Sequence, residues 1–438
     1  MKSAARIATL LSALVVSFVI FGAVEAFACA GGGGVWYSFQ HNWHHSGRST
    51  CDMSGNIVNL NTWDVGVEKA SPAYRYTVDD TVYEGNVFVA SNDGRVYALS
   101  DTDWSTVWQS DAYSGTKTTP LQLDGRLIFG SGSHVVALDV YTGQQLWDYT
   151  GSATAQFNSN PSALPDGSMF YIGSDDGNVY AFDAQAGSVE WTYQTGGAVK
   201  SSPALDSGTV YAGSDDGYMY ALSATGGDLV WRTQAVGRIR SSPTVSSQNM
   251  LFFGVVRSDG TGAIYSLDGD NGNVEWSRTM SSAVESTIAL DNRTGVIYVG
   301  SNDGYVYALD GDNGDITWSH LTGDAVTASP AITDAFILAG SQDGNIYGLS
   351  VSNGEVLWSY DTGEPLIASF AIDSQKIFAS TASHTYAIGP VQEQPLEFPI
   401  GPLTVAVYLI TIIAVYAVVK RYRLLDGRFS SPGGARKK

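Results

Sequence analysis

A tryptophan recurs along most of this chain, each time ten residues after a small residue. Six of the seven repeats also carry a glycine six residues after that small residue, whereas the first repeat has Trp104 there. With Trp63 as an eighth member, the 295 residues from Trp63 to Trp358 make seven steps of about 42 residues. The seven pairs are Ala98/Trp108, Ala137/Trp147, Ala181/Trp191, Ala221/Trp231, Ser266/Trp276, Ala308/Trp318 and Gly348/Trp358. Repeats of roughly 40–50 residues with several strands each are typical of β-propellers.

Each repeat contains four short strand-like segments separated by turn sequences. One hairpin carries Asp-Gly, as at Asp216 and Gly217, and the next one carries Asn-Gly in three repeats, as at Asn313 and Gly314. These pairs supply the positive φ that tight hairpins require. The 49 glycines and 24 tyrosines agree with many short strands and tight turns. The sequence therefore predicts an all-β fold of four-stranded blades.

The two ends of the repeat region complete one further blade. Residues 57–66 contain one strand with Trp63, and residues 367–388 contain three strands without a tryptophan. Pairing them closes the ring and covers the two strand edges that would otherwise be open. We expect eight blades, with seven as the alternative if the N-terminal strand pairs elsewhere.

The A-x-D-x-x-x-G-x-x-x-W pattern resembles the tryptophan-docking motif of the pyrroloquinoline quinone (PQQ) repeat family, over about residues 57–388. The resemblance implies a propeller in which each tryptophan packs between neighbouring blades. The implied docking residues are Trp63, Trp108, Trp147, Trp191, Trp231, Trp276, Trp318 and Trp358. The stretch 36–47 is also similar to the W-x-x-F-x-H-D-x-x-H-T-G segment that often precedes the first blade, with Asn42 in place of Asp.

The same resemblance raises the alternative of a PQQ-dependent dehydrogenase, an oxidoreductase with PQQ and calcium. Enzymes of this family hold the quinone against a disulfide between adjacent cysteines and bind calcium through Glu, Asn and Asp. Cys29 and Cys51 are 22 positions apart, and the repeats lack long insertions that would build a lid. We therefore favour a protein without catalytic residues, cofactor or metal, and keep the enzyme as the alternative.

Both ends of the chain predict membrane targeting. Lys2 and Arg6 precede an apolar run and the cleavage pattern Ala26-Phe27-Ala28, as in a secretory signal peptide. Residues 403–419 are uncharged and precede a basic tail, as in a spanning helix whose tail stays in the cytoplasm. The predicted segments are signal peptide 1–28, pre-blade segment 29–56, propeller 57–390, linker 391–399, transmembrane helix 400–419 and cytoplasmic tail 420–438.

The charge balance limits the partners. The whole chain has a net charge of −20, and residues 29–419 carry 14 basic and 41 acidic residues. Such an acidic chain does not suit nucleic acid, which requires clustered cations.

In an oxidising compartment Cys29 and Cys51 are candidates for a disulfide. The exported part contains one N-glycosylation sequon, Asn292-Arg293-Thr294.

Basic residues recur at one position of the repeat, three residues before the proline that opens it. This position is Lys69, Lys117, Asn158, Lys200, Arg240, Glu285, Thr327 and Ile367 in blades 1 to 8, and Arg238 lies two residues before Arg240. In a propeller this position leads into the innermost strand, at the mouth of the central funnel. We interpret Lys69, Lys117, Lys200, Arg238 and Arg240 as a site for an anionic ligand or an acidic partner segment. The alternative is internal ion pairing with neighbouring aspartates.

The resulting functional hypothesis is a single-pass cell-membrane protein whose propeller lies outside and acts as a binding or scaffold module for a protein partner. The first alternative is the dehydrogenase. A second alternative is a sensor ectodomain, which would need a separate signalling partner because only about 19 residues follow Val419. The sequence does not assign an oligomeric state.

Overall fold

The computed structural model describes residues 57–67, 70–79, 82–114, 118–152, 154–373 and 376–390. This part of the chain forms eight antiparallel sheets of four strands each and contains no helix. The predicted all-β, eight-bladed propeller is therefore confirmed. None of the helices that the sequence predicts lies within the described residues, and no helix there is long and apolar enough to cross a membrane.

In blades 1 to 7 the strands pair in sequence order from the innermost to the outermost, whereas in the eighth blade β30, β31 and β32 are followed by β1. The innermost strands are β2 (Ala73–Asp79), β6 (Leu121–Leu123), β10 (Ser162–Ala163), β14 (Ala204–Asp206), β18 (Thr244–Val245), β22 (Ala289–Asp291), β26 (Ala331–Ile332) and β30 (Ala371–Asp373). The second strands are β3 (Val82–Ala90), β7 (Arg126–Ser131), β11 (Met169–Gly173), β15 (Thr209–Gly213), β19 (Met250–Val256), β23 (Val296–Gly300), β27 (Phe336–Gly340) and β31 (Lys376–Ser380).

The third and outermost strands complete the blades. The third strands are β4 (Val96–Ser100), β8 (His134–Asp139), β12 (Asn178–Asp183), β16 (Tyr218–Ser223), β20 (Gly262–Asp268), β24 (Tyr305–Asp310), β28 (Asn345–Ser350) and β32 (Thr385–Pro390). The outermost strands are β5 (Thr106–Gln109), β9 (Gln145–Thr150), β13 (Val189–Gln194), β17 (Leu229–Gln234), β21 (Val274–Met280), β25 (Ile316–Leu321), β29 (Val356–Asp361) and, for the eighth blade, β1 (Ile57–Trp63).

Burial follows the position of a strand in its blade. In β15 and β16 four consecutive residues are buried, because both faces of a blade pack against neighbouring blades. In β17 exposed and half-buried residues alternate. The outermost strands of blades 1 to 7 each contain a β-bulge just before the docking tryptophan, as at Val230 between Leu229 and Trp231. Bulges of this kind make an edge strand a poor template for pairing with another chain.

The eighth blade joins the two ends, as the sequence predicts. β1 pairs antiparallel with β32, with Ile57 opposite Pro390 and Trp63 opposite Thr385. Thr385 follows the turn between the second and third strands, so Ile57 and Pro390 lie at the opposite face of the propeller. We call the face with these turns and the loops between blades the rim face, and the face with Ile57 and Pro390 the terminal face.

Candidate functional site at the rim of the propeller

A ring of hydrogen bonds fixes the residues that lead into the innermost strands. In seven of the eight blade junctions a backbone N–H donates to a Ser, Thr or Asn side chain at the same position of the next blade. These bonds are Ser71 to Thr119, Thr119 to Asn160, Asn160 to Ser202, Ser202 to Ser242, Thr287 to Ser329, Ser329 to Ser369 and Ser369 to Ser71, at 2.7–3.0 Å. The predicted funnel residues other than Arg238 lie two positions before these side chains, so this ring sets their positions.

Lys200 lies at the rim and is not free. Its Nζ is 3.4 Å from Oδ2 of Asp175, which also accepts a hydrogen bond of 2.9 Å from the Asn158 side chain. Asp175 comes from the turn between the second and third strands of blade 3, whereas Lys200 follows that blade in the chain. The positive charge of Lys200 is thus balanced by the carboxylate of Asp175.

Arg240 is held more tightly than Lys200. Its Nε and one terminal nitrogen donate to the two carboxylate oxygens of Asp215 at 2.9 and 3.1 Å, and its other terminal nitrogen is 3.7 Å from Glu285. The hydrogen bonds from Arg240 to Asp215 raise the pKa of the guanidinium further above its ordinary value. Asn302 donates to the second oxygen of Glu285 at 3.4 Å, which extends this network into blade 6.

The described part of the rim is therefore a chain of alternating donors and acceptors rather than a ring of cations. Thr327 continues it by accepting a hydrogen bond of 3.2 Å from Gln342. For Lys200 and Arg240 the structure thus shows the alternative of internal ion pairing with neighbouring aspartates. The sequence did not identify Asp175 and Asp215 as the partners, because they occupy the second position of the Ser-Asp-Asp-Gly turns, 25 residues away from the cations. Lys69 and Lys117 lie outside the described residues, and so do Cys29 and Cys51.

Blade 5 interrupts this pattern. Its strands β19 and β20 have seven residues each, whereas the corresponding strands of blade 4 have five and six. β19 continues for two residues beyond Gly254, which corresponds to Gly213 in blade 4, so the hairpin protrudes by roughly 7 Å on the rim face. Val256 takes the place of the acidic residue that Asp215 supplies in blade 4. Glu285 then reaches back to Arg240.

One residue outside the named strands, Arg238, pairs with the protruding hairpin. The N–H and C=O of Arg238 pair with those of Val256 at 2.8 and 2.9 Å, an isolated bridge outside the named strands. Arg238 is exposed, no carboxylate of a described residue lies within ion-pair distance of it, and Val236 is 63% exposed. We call Val236, Arg238 and the hairpin turn Arg257–Thr261 the Arg238 surface.

The rim does not fit a PQQ–calcium centre. Calcium requires six to eight oxygen ligands, but the oxygens of Asp215 and Glu285 face Arg240 and Asn302. Two buried oxygens, Oδ1 of Asp175 and Oδ1 of Asn302, lack hydrogen-bond partners within the described part of the chain, yet they belong to blades 3 and 6. Among the described residues no three His, Cys, Asp or Glu side chains form a group that suits a metal.

The docking tryptophans join neighbouring blades by a hydrogen bond as well as by packing. Seven indole N–H groups donate to a carbonyl near the third turn of the next blade at 2.8–3.3 Å, namely those of Trp63, Trp108, Trp147, Trp191, Trp231, Trp276 and Trp318. Trp358 departs from this pattern, and in the eighth blade no turn joins the third strand β32 to the outermost strand β1. Among the described residues its buried N–H has no hydrogen-bond partner, and its ring packs edge-on against Phe336 of its own blade at 5.2 Å.

Eight four-stranded blades with one docking tryptophan each define the class of PQQ-like repeat propellers. The profile of the family described as outer membrane protein assembly factor BamB matches residues 21–202, 175–282 and 253–393. The chain belongs to this family, and the predicted family is confirmed.

Relatives of known structure share the fold. BamB from Moraxella catarrhalis is 20% identical, with a TM-score of 0.62 over 76% of this chain and 100% of that chain. A europium-containing methanol dehydrogenase is 12% identical, with a TM-score of 0.68 over 81% of this chain and 98% of the other. By sequence, the chain is also similar to the serine/threonine-protein kinase AfsK of Streptomyces coelicolor, at 31% identity over 290 residues, 61% of this chain and 35% of the kinase. The chain thus spans about a third of that kinase.

Proposed function

We propose that this chain is a membrane-anchored, extracytoplasmic propeller that binds an acidic segment of a protein partner on its rim face and catalyses no reaction. The observation that carries the proposal is the Arg238 surface. Lys200 and Arg240 are neutralised by carboxylates within the rim. Arg238 offers a guanidinium that a partner can bind, in a chain that is otherwise strongly acidic.

The composition of the Arg238 surface indicates the chemistry of the partner segment. Arginine forms two parallel hydrogen bonds with a carboxylate, which gives a fixed orientation as well as attraction. Val236 adds exposed apolar area beside the charge. A segment with an acidic residue next to an aliphatic one matches both features.

The path of the chain supports binding at the rim face. Ile57 and Pro390 lie opposite each other on the terminal face. A membrane anchor that follows Pro390 is therefore joined to the face that does not carry the Arg238 surface.

The family relationship supports a scaffold rather than an enzyme. The matching family is described as an outer membrane protein assembly factor. The dehydrogenase neighbour shares the fold at 12% identity, which carries no argument about chemistry. The poor fit of the rim to calcium also favours a scaffold over an enzyme.

Photo-crosslinking in the native host tests the proposal. A photo-reactive amino acid replaces Val236 in one version of the full chain and Val230 in another. Val230 is a matched control because it is 55% exposed but lies at the start of an outermost strand, near the terminal face. We expect one protein to crosslink through an acidic segment from position 236 and not from position 230.

Charge reversal provides the second control. Arg238→Glu should reduce this crosslink at least several-fold, because it replaces attraction by repulsion. Arg126→Glu, in the hairpin between the first two strands of blade 2, should leave it unchanged. Equal crosslinking from positions 236 and 230, or no effect of Arg238→Glu, would contradict the proposal.

The kinase relative favours one second candidate, a sensor ectodomain. The aligned region is 61% of this chain, so most of the propeller has a counterpart within a signalling protein. In that case the chain binds an external ligand at the rim and transmits the signal through a separate partner. A further version of the chain with the photo-reactive amino acid in the predicted linker 391–399 tests this candidate, and a crosslink from there to a kinase would favour it.

A further inference from the structure

The sequon Asn292-Arg293-Thr294 forms an exposed turn on the terminal face. It connects β22 and β23, and the N–H groups of Thr294 and Gly295 both donate to the carbonyl of Asp291, at 3.1 and 2.8 Å. These hydrogen bonds close the turn, and all three sequon residues are exposed. A transferase can therefore reach the sequon in the folded protein.

The side chain of Asn292 presents its nitrogen rather than its oxygen. Its Oδ1 accepts a hydrogen bond of 3.0 Å from the backbone N–H of Ser247 in the neighbouring blade. Because the partner is a donor, the atom facing it must be the oxygen, which fixes the orientation of the amide. No described residue accepts a hydrogen bond from Nδ2, the atom to which a glycan is joined.

A groove beside Asn292 has room for a bound sugar. The hairpin turns Ser246–Asn249 of blade 5 and Asn292–Gly295 of blade 6 form its walls, and its volume is about 240 Å³. Its lining combines hydroxyl and amide groups with an apolar floor that includes Met250 and Leu290. A sugar ring offers hydroxyl groups and an apolar face, so this lining suits the first residue of a glycan.

We propose that Asn292 carries an N-linked oligosaccharide, an inference that rests on the proposed export of the propeller. The Asn292 Nδ2 forms a bond to the anomeric carbon of a lipid-linked oligosaccharide. The bond from that carbon to the phosphate oxygen of the lipid carrier breaks, the phosphate leaves with the carrier, and the amide proton passes to a base of the transferase. Because Asn292 lies on the terminal face, the glycan leaves the Arg238 surface accessible.

Mass spectrometry of the full chain from native-host membranes tests this inference. Trypsin releases Thr279–Arg293, which contains Asn292. We expect this peptide to carry sugar mass in the wild-type chain and in Thr294→Ser, which keeps the sequon. In Thr294→Ala, which removes it, we expect the unmodified peptide.

An unmodified wild-type peptide, or a modified one in Thr294→Ala, would overturn the inference. The same spectra show whether residues 1–28 have been removed, which separates the two proposals. A processed N-terminus with unmodified Asn292 means that the glycan is absent while export stands. An unprocessed N-terminus with unmodified Asn292 counts against the proposed export as well.

Discussion

Five turns on the rim face are closed by an aspartate and by a tyrosine four residues later. The tyrosine hydroxyl donates to the carboxylate at 2.6–2.9 Å in the pairs Asp93–Tyr97, Asp176–Tyr180, Asp216–Tyr220, Asp303–Tyr307 and Asp343–Tyr347. Two of these carboxylates also accept a backbone N–H from the loop that follows the preceding blade, at 2.7 Å. Each aspartate thus shapes its own turn, and in blades 4 and 7 it also holds the adjoining loop.

The pair Asp343–Tyr347 sets a pH range of stability. Burial, together with the hydrogen bond to Asp343 and its negative charge, raises the pKa of Tyr347 to about 12. Burial alone would raise the pKa of Asp343, but hydrogen bonds from Tyr347 and from backbone and side-chain amides lower it below its ordinary value. Because its pKa is raised, Tyr347 makes its full contribution to the free energy of unfolding below pH 10, and that contribution is lost as pH rises to about 12. Because its pKa is lowered, the contribution of Asp343 to the same free energy is lost as pH falls below about 4.

Replacing Tyr347 tests this account. Tyr347→Phe should lower the free energy of unfolding by about 1 kcal/mol between pH 4 and 10, the contribution of one hydrogen bond. It should also remove one tyrosine that titrates near pH 12 in the absorbance of the folded protein. Urea unfolding and alkaline titration measure the two effects. Tyr141→Phe, at an exposed tyrosine, is the control, and an equal effect of both changes would refute the role of the pair.

At the scale of the element, the repeat motif specifies a joint between blades. The motif glycine has a positive φ, as at Gly314 with 74°, and its Cα lies against the tryptophan ring of the preceding blade. Blade 1 shows what happens without glycine, because Trp104 takes the same conformation with a φ of 65° and packs edge-on against Trp63 at 5.6 Å. The sequence predicted the turn from its chemistry and the docking from the family resemblance. The hydrogen bond across the joint could not be predicted, because its acceptor is a backbone carbonyl.

Substitutions at two glycines of similar backbone conformation separate two losses of stability. One comes from backbone strain in the turn, and the other from displacing the tryptophan ring between the blades. A Cβ at Gly314 would lie 2.6 Å from the Trp276 ring, whereas one at Gly208, with a φ of 81°, would have no atom within 4 Å. Gly208→Ala should lower the free energy of unfolding by about 1 kcal/mol, because it introduces backbone strain alone. Gly314→Ala should cost about 2 kcal/mol more, because the ring must move. Urea unfolding followed by tryptophan fluorescence measures both costs, and equal values would contradict the proposed joint.

At the scale of the whole molecule, closure depends on contacts that the sequence separates widely. Lys376 in blade 8 donates to the buried carboxylate of Asp101 in blade 1 at 2.9 Å, and its Nζ lies 5.3 Å from the centre of the Trp104 ring. The ring of Ser, Thr and Asn side chains joins residues about 40 positions apart. Blade number and closure could be predicted because the motif repeats with a constant period. These cross-blade contacts could not, because each requires the neighbouring blade to be in place.

In the candidate site, too, some features could be predicted from the sequence and others could not. The basic residues at the funnel and Glu285 could be found from their repeated position, and pairing with aspartates was the stated alternative. The particular partners Asp175 and Asp215 could not be predicted, since pairing depends on how turns and loops meet. Arg238 was predicted as part of the funnel. The structure adds that the extended hairpin of blade 5 pairs with its backbone at Val256. Longer strands β19 and β20 were the available signal.

The most direct test of a binding propeller without a catalytic centre is to determine what the native protein contains. The full chain is purified from native-host membranes, its visible absorbance is recorded, and the small molecules released on denaturation are identified by mass spectrometry. Our account predicts no stoichiometric quinone. One PQQ per chain together with calcium would contradict it and would make this protein a dehydrogenase.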